Sequence, residues 1–177
     1  MFYGLMAGIA LYNLFIFLSV RKLAYFYYVL HTLSYALFQF VLNGLAFQYF
    51  WPNSVWWANQ CMPACIAMSF FTGVQFHRNF LDVKRNLPTT DRLLAALGTY
   101  AALAAAFITL ALPYAIGIRA VVVLGTMIIG VALYSTTRLI MLGHRPAYFY
   151  GAAWGILLLG IMAYLLKAMN ILPTNAV

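Results

Sequence analysis

The chain has 177 residues, of which 66% are hydrophobic and only 7% charged. Soluble domains are about 45–50% apolar and about 25% charged, so a soluble enzyme, a disordered tail and a coiled coil all describe it poorly. Its net charge of +8 would point to nucleic acid in a soluble protein. Here the basic residues instead fill short gaps between long apolar runs, as in an inner-membrane protein, and no nucleic-acid partner is expected.

Apolar runs of about 18 or more residues read as membrane-spanning helices, since helices satisfy their own backbone in lipid. The first predicted span covers 2–20 and stops at Arg21-Lys22. It lacks the basic start and small-residue cleavage site of a signal peptide, so it counts as a span. The second covers 23–47. The third covers 55–76 and contains Pro63, which predicts a static kink. A polar stretch, 77–92, follows. The fourth span covers 93–112 and stops at Pro113, the fifth covers 118–139 and the sixth 147–169. The expected fold is all-α, a polytopic transmembrane bundle forming a single domain over 1–177.

The basic residues orient the bundle. Arg21 and Lys22 follow span one, Arg78, Lys84, Arg85 and Arg92 separate spans three and four, and Arg138 and Arg145 separate spans five and six. The opposite ends hold only Arg119 and Lys167. Positive loops stay in the cytoplasm, so both the N-terminus and the segment after span six are expected outside. Tyr49, Phe50, Trp51, Trp56 and Trp57 cluster at the outer hairpin, and Tyr25, Tyr27, Tyr28, Tyr148, Phe149 and Tyr150 at the inner surface. Amphipathic rings favour the headgroup level, so these read as anchors, with a ligand-stacking cage at Trp51, Trp56 and Trp57 as the alternative.

Both acidic residues, Asp82 and Asp91, lie between spans three and four. Without an acid inside a span, a proton-coupled carrier lacks its usual relay. The polar candidates are Asn13, His31, Gln39, Asn43, Asn59, Gln60, Gln75 and Thr99. His31 lies about 13 Å along its helix from Lys22. It reads either as an intramembrane polar switch, together with Asn13, or as a neutral imidazole bonded to a neighbouring helix. Such bonds are worth about 1 kcal/mol, and for Asn13 a bond across to another helix is the default. Cys61, Cys65 and Met68 form a soft set that suits Cu(I), but no His lies at their depth, so neither metal nor cofactor is expected. The i,i+4 geometry of the two cysteines disfavours a disulfide. Gly4 with Gly8, Gly151 with Gly155 and the Ala-rich stretch 95–106 invite close helix packing, and the GxxxG pairs are also candidate homodimer faces. His77, Arg78 and Asp82 have no nucleophile, metal set or phosphate loop beside them. No catalytic residue is therefore assigned, and the 77–92 stretch reads as a solvated, membrane-facing edge.

Several phrases in order carry a resemblance: "YGLMAGIALYNLFIFLSVRK", "YFYYVLHTLSYALFQFVLNGLAFQYFWPN", "FHRNFLDVKRNLPTTDRLL", "GHRPAYFYGAAW" and "NILPTN". The chain resembles the membrane domain of bacterial seven-transmembrane receptors with diverse intracellular signalling modules. That resemblance implies an outer ligand-binding domain, seven helices and a cytoplasmic output module such as a diguanylate cyclase, histidine kinase or phosphatase. The chain shows six spans and neither flanking domain, which suggests a fragment ending before a seventh helix. The expected function is a receptor module in the bacterial inner membrane that relays an extracytoplasmic signal. A small-molecule transporter or channel is the alternative, and a lipid-modifying enzyme using His77 and Asp82 a third reading.

The topology is testable. A reporter fused within residues 82–90 is expected to be active in the cytoplasm and one at Asn53 in the periplasm. Cytoplasmic activity of the Asn53 fusion would reverse the orientation.

Overall fold

The computed structural model describes residues 1–111 and 114–168, and over these the protein is helical without strands. In chain order the helices are α1 (Phe2–Val20), α2 (Leu23–Leu42), α3 (Leu45–Tyr49), α4 (Val55–Phe80), α5 (Val83–Asn86), α6 (Pro88–Ala111), α7 (Tyr114–Met141) and α8 (Arg145–Ala168). Two compact units result, Met1–Ser135 and Thr136–Val177, dividing within α7.

The element boundaries depart from the sequence reading in physically interpretable ways. The predicted 23–47 segment breaks after Leu42, where Gly44 adopts a left-handed φ of 73°. The Asn43 and Gly44 N–H groups donate back to the carbonyls of Gln39 and Val41, closing the helix end. Chain entry into α3 thus depends on a conformation that suits glycine. α4 continues past 76 to Phe80, and α6 starts at Pro88 rather than 93. Proline loses nothing at a first helical position, where its N–H would have no partner, and Asp91 in the first turn complements the helix dipole. The predicted span ends at 112 and 169, and Pro113, lie outside the described residues.

In the first unit α1 packs on α2, α2 on α4 and α4 on α6. α7 joins through Val121, which is buried with Ala67 and flanked by Ile66, Phe70 and Ala104. The buried residues are mostly small, among them Ala10, Cys61, Ala67 and Ala101, whereas Leu5, Phe15, Leu18, Val122 and Met127 are exposed. Exposing one such large side chain to water would forgo about 1.5–3 kcal/mol. Small residues at helix contacts with large apolar ones outside is the pattern of packing within lipid.

Single glycines set the close approaches of α4. A Cβ at Gly73 would come 3.1 Å from the His31 ring, one at Gly98 3.1 Å from Val74, and one at Gly125 2.3 Å from Phe70. These are the α2–α4, α4–α6 and α4–α7 seams. The GxxxG pair in α1 plays no such part, because nothing described lies within 4 Å of a Cβ at Gly4 or Gly8.

The 77–92 stretch is not the solvated edge that its charge implies. Leu81 and Val83 are fully buried around Asp82, which takes a left-handed φ of 51°. Polar side chains alternate with apolar ones that turn inward, so the connection is anchored on α4 and α6.

In the second unit, α7 ends on a glycine-capped turn. Gly143 has φ 75°, its N–H donates to Ile140 O, and the His144 N–H donates to Leu139 O. This is the paired bonding of a Schellman cap. Ala147 is fully buried, Tyr148 Oη donates to Ile140 O at 3.0 Å, and Gly151 lets Ile140 and Thr136 approach. The phrase "GHRPAYFYG" thus builds a helical hairpin.

Among the described residues, two helices are long and apolar enough by composition to cross a membrane, Phe2–Val20 and Tyr114–Met141. α2 is diluted by Tyr25, Tyr27, Tyr28, His31 and Gln39, and α4 by amides and its polar last turn.

Gly125→Ala is expected to destabilise the chain by about 1–3 kcal/mol through overpacking against Phe70. Gly130→Ala, where a Cβ meets nothing described, should be neutral or stabilising. Thermal unfolding midpoints in detergent test the contrast.

Candidate functional site

A neutral polar group in apolar surroundings must find its partner within the protein, and α4 collects such contacts on three sides. Toward α2, His31 Nδ1 lies 3.2 Å from Ser69 O. A carbonyl only accepts, so Nδ1 carries the proton and donates. Thr72 Oγ1 sits 3.5 Å from the same nitrogen and is directed to Met68 O and Ser69 O. The ring seats over Gly73, which is why that seam has no room for a methyl group.

Toward α6, Arg78 holds Asp91 through two parallel bonds, Nε to Oδ1 at 2.7 Å and Nη2 to Oδ2 at 2.9 Å. Nη1 donates to Gln75 Oε1 at 3.0 Å, fixing the guanidinium from its own helix. The Arg78 side chain is 20% exposed and that of Asp91 only 7%. This is a bidentate, largely desolvated pair, stronger and more directional than a surface ion pair. The bond to Asp91 holds the Arg78 guanidinium above its ordinary range.

Toward α7, His77 Nε2 lies 2.7 Å from Ser135 Oγ. The serine hydroxyl donates to Ala132 O at 2.8 Å, so Nε2–H is the donor to Ser135. His77 follows the apolar stretch 55–76, and burial pushes its imidazole down to about 4. It is therefore neutral at neutral pH, and acidification toward that value works against the contact because a buried imidazolium is costly. Adjacent residues of α4 thus bind two different helices at one end of the unit.

The other sequence candidates are distributed. Asn13 Nδ2 donates to Ile9 O at 2.9 Å, one turn back on α1, rather than across to another helix as expected. An exposed neighbouring face on α1 leaves the local carbonyl as its available acceptor. Asn13 and His31 do not form one contact. Asn43 makes the cross-helix bond instead, donating to Tyr3 Oη at 2.9 Å. Gln75 supports Arg78, Thr99 donates to Ala96 O, and the Asn59 side chain lies outside the described residues. Cys61 and Cys65 are buried free thiols on α4, and among the described residues no three potential metal ligands come together. α4 remains helical through the buried Pro63. Asp82 is exposed, while His77 is directed to Ser135.

The tryptophans do come together. Trp51 and Trp57 are 6.1 Å apart edge to face, and Trp56 and Trp57 are 6.2 Å apart. The stack continues through Phe50 and Phe40 to Tyr3, so rings from α1, α2, α4 and the intervening loop share one cluster. Trp56 and Phe50 remain largely exposed.

Sequence reasoning missed the Arg78–Asp91 and His77–Ser135 contacts. A signal existed for the first: with only two acids in the chain, one of them just after a helix-starting proline is a strong candidate partner for a nearby arginine. Nothing in the sequence distinguishes Ser135 from other helix serines.

An all-helical unit with large apolar side chains outside and polar groups satisfied between helices defines a membrane helical module. The profile of the family described as 7TM diverse intracellular signalling matches residues 1–177. The chain belongs to that family, a family of membrane signalling receptors. No curated protein and no solved structure matches it.

Asp91→Leu strands the Arg78 charge and is expected to cost about 3 kcal/mol. Replacing both partners, Arg78→Met with Asp91→Leu, should recover most of that loss. Unfolding midpoints of the two single variants and the double variant provide the cycle.

Proposed function

We propose that the chain is the membrane-spanning relay of a bacterial inner-membrane receptor. In this reading α1, α2, α4, α6, α7 and α8 each cross the bilayer, the N-terminus faces outward, and the basic connections face the cytoplasm. The signal comes from an extracytoplasmic sensor domain and passes to a cytoplasmic output domain outside this chain. The chain performs no catalysis of its own. The open Gly4–Gly8 face of α1 suits a second copy in a homodimer.

The observation that supports this reading best is the set of polar contacts α4 makes with three neighbours: His31 with Ser69, Arg78 with Asp91, and His77 with Ser135. Two lie at the end that the positive-inside rule assigns to the cytoplasm, where a signal would leave. Contacts of this size match the few kcal/mol separating two conformations of a switching protein. The chain's two acids lie in the connection before α6 and in its first turn, with none at mid-membrane, which weighs against transport.

The test uses the intact receptor and measures output per inserted molecule, with and without stimulus. Asp91→Asn and His31→Leu are expected to shift basal output by about fivefold for each kcal/mol of bias, with insertion unchanged. Asn13→Leu, whose bond stays within α1, should shift it less. Unchanged basal and stimulated output in the first two variants would overturn the relay.

A further inference from the structure

We propose that the groove between α6 and α7 binds an anionic phospholipid of the surrounding bilayer, its phosphate on Arg119 and an acyl chain along the helices. The proposal rests on the membrane-spanning reading above. The groove measures about 1070 Å3 and, apart from Arg119 and the Tyr100 hydroxyl, its lining side chains are apolar. Leu103, Phe107 and Val123 are 63%, 59% and 56% exposed, so the groove opens sideways along its length. A ligand that enters laterally through apolar walls is one already dissolved in the bilayer.

The charge of Arg119 selects among such ligands. The chain contains two carboxylate side chains. Asp91 is held by Arg78 and lies about 20 Å along α6 from Ala104 in the groove wall. Asp82 lies outside the groove, in the connection before α6. Neither compensates Arg119, and a cation at an apolar wall is costly without a counter-charge or water. A planar guanidinium takes a phosphate through two parallel bonds, and basic pockets between membrane helices bind lipid headgroups in this way.

The dimensions suit a chain below the headgroup. Arg119 is about 7 Å along α7 from its start at Tyr114, and Met127, toward the far end of the groove, is about 12 Å further. Ala104 and Ala120 keep the floor low between the larger walls. The headgroup site thus lies near the predicted outer surface, with the tail directed toward mid-membrane.

The experiment is native mass spectrometry of the full chain released from vesicles containing equal phosphatidylglycerol and phosphatidylcholine. Insertion is first verified by carbonate extraction, so that failure of the membrane reading is seen separately. Wild type is expected to retain phosphatidylglycerol about fivefold over phosphatidylcholine. Arg119→Gln should abolish this preference and Arg119→Lys reduce it. Arg145→Gln, at an exposed basic site outside the groove, should leave it intact. Ala120→Phe, which fills the floor while keeping the charge, should lower retention of both lipids, with helicity by circular dichroism as the folding control. Equal retention by wild type would overturn the proposal. So would a preference that survives Arg119→Gln, retention of a free fatty acid in place of phospholipid, or an Arg119-dependent dimer without lipid.

Discussion

The two-pronged bond between Arg78 and Asp91 organises the first unit. It joins the long central helix to its neighbour where the chain turns through a short, strained connection, and the rest of that connection is shaped around it. Leu81 and Val83 are fully buried on either side of Asp82, Pro88 starts α6 so that Asp91 falls in the first turn, and Gln75 steadies the guanidinium. An ion pair this desolvated returns little net stability compared with apolar residues of the same volume. Its value is directional: two parallel bonds specify one register of α4 against α6. In an apolar surrounding, where greasy contacts hardly distinguish one register from another, that specification matters.

The same logic runs through the other contacts of α4. Close approach comes from glycines at single positions, and specificity comes from one polar contact per seam. Gly73 admits the His31 ring, which then reaches Ser69 O. Gly125 admits Phe70, and His77 finds Ser135 along the same pair of helices. Packing and polar satisfaction are thus two halves of one device. A methyl group at Gly73 would press on the His31 ring itself and so disturb its bond to Ser69 O.

Much of the fold was legible because length, apolar composition and charge spacing constrain membrane helices tightly. Arg21-Lys22 lies at a real turn, Arg145-Pro146 opens α8 just after one, and the helices begin and end near the predicted limits. The break at Asn43-Gly44 was not read, since a left-handed glycine inside an apolar run changes neither hydropathy nor charge. Of the site, His31 was legible as a bond to a neighbouring helix because a lone imidazole in an apolar run needs a partner. The tryptophan cluster was legible from crowding in sequence. Asn13 was misread because a carbonyl one turn back can satisfy an amide as well as another helix can. His77, Arg78 and Asp91 were read as loop chemistry because their partners, Ser135 on α7 and each other across α4 and α6, come from the tertiary arrangement, which no local pattern records.

His77 and Arg78 are consecutive, so they project about 100° apart around the α4 axis. One faces α7 and the other α6, each at 2.7 Å from its partner. Turning the helix about its axis in either sense swings both side chains together, so neither bond can be released by rotation while the other stays undisturbed. The pair acts as a detent: small torsional fluctuations of α4 are resisted from two directions at once, and a rotation large enough to matter is discrete. Sliding along the axis meets the same restriction, because one residue of rise, about 1.5 Å, already exceeds the tolerance of either bond.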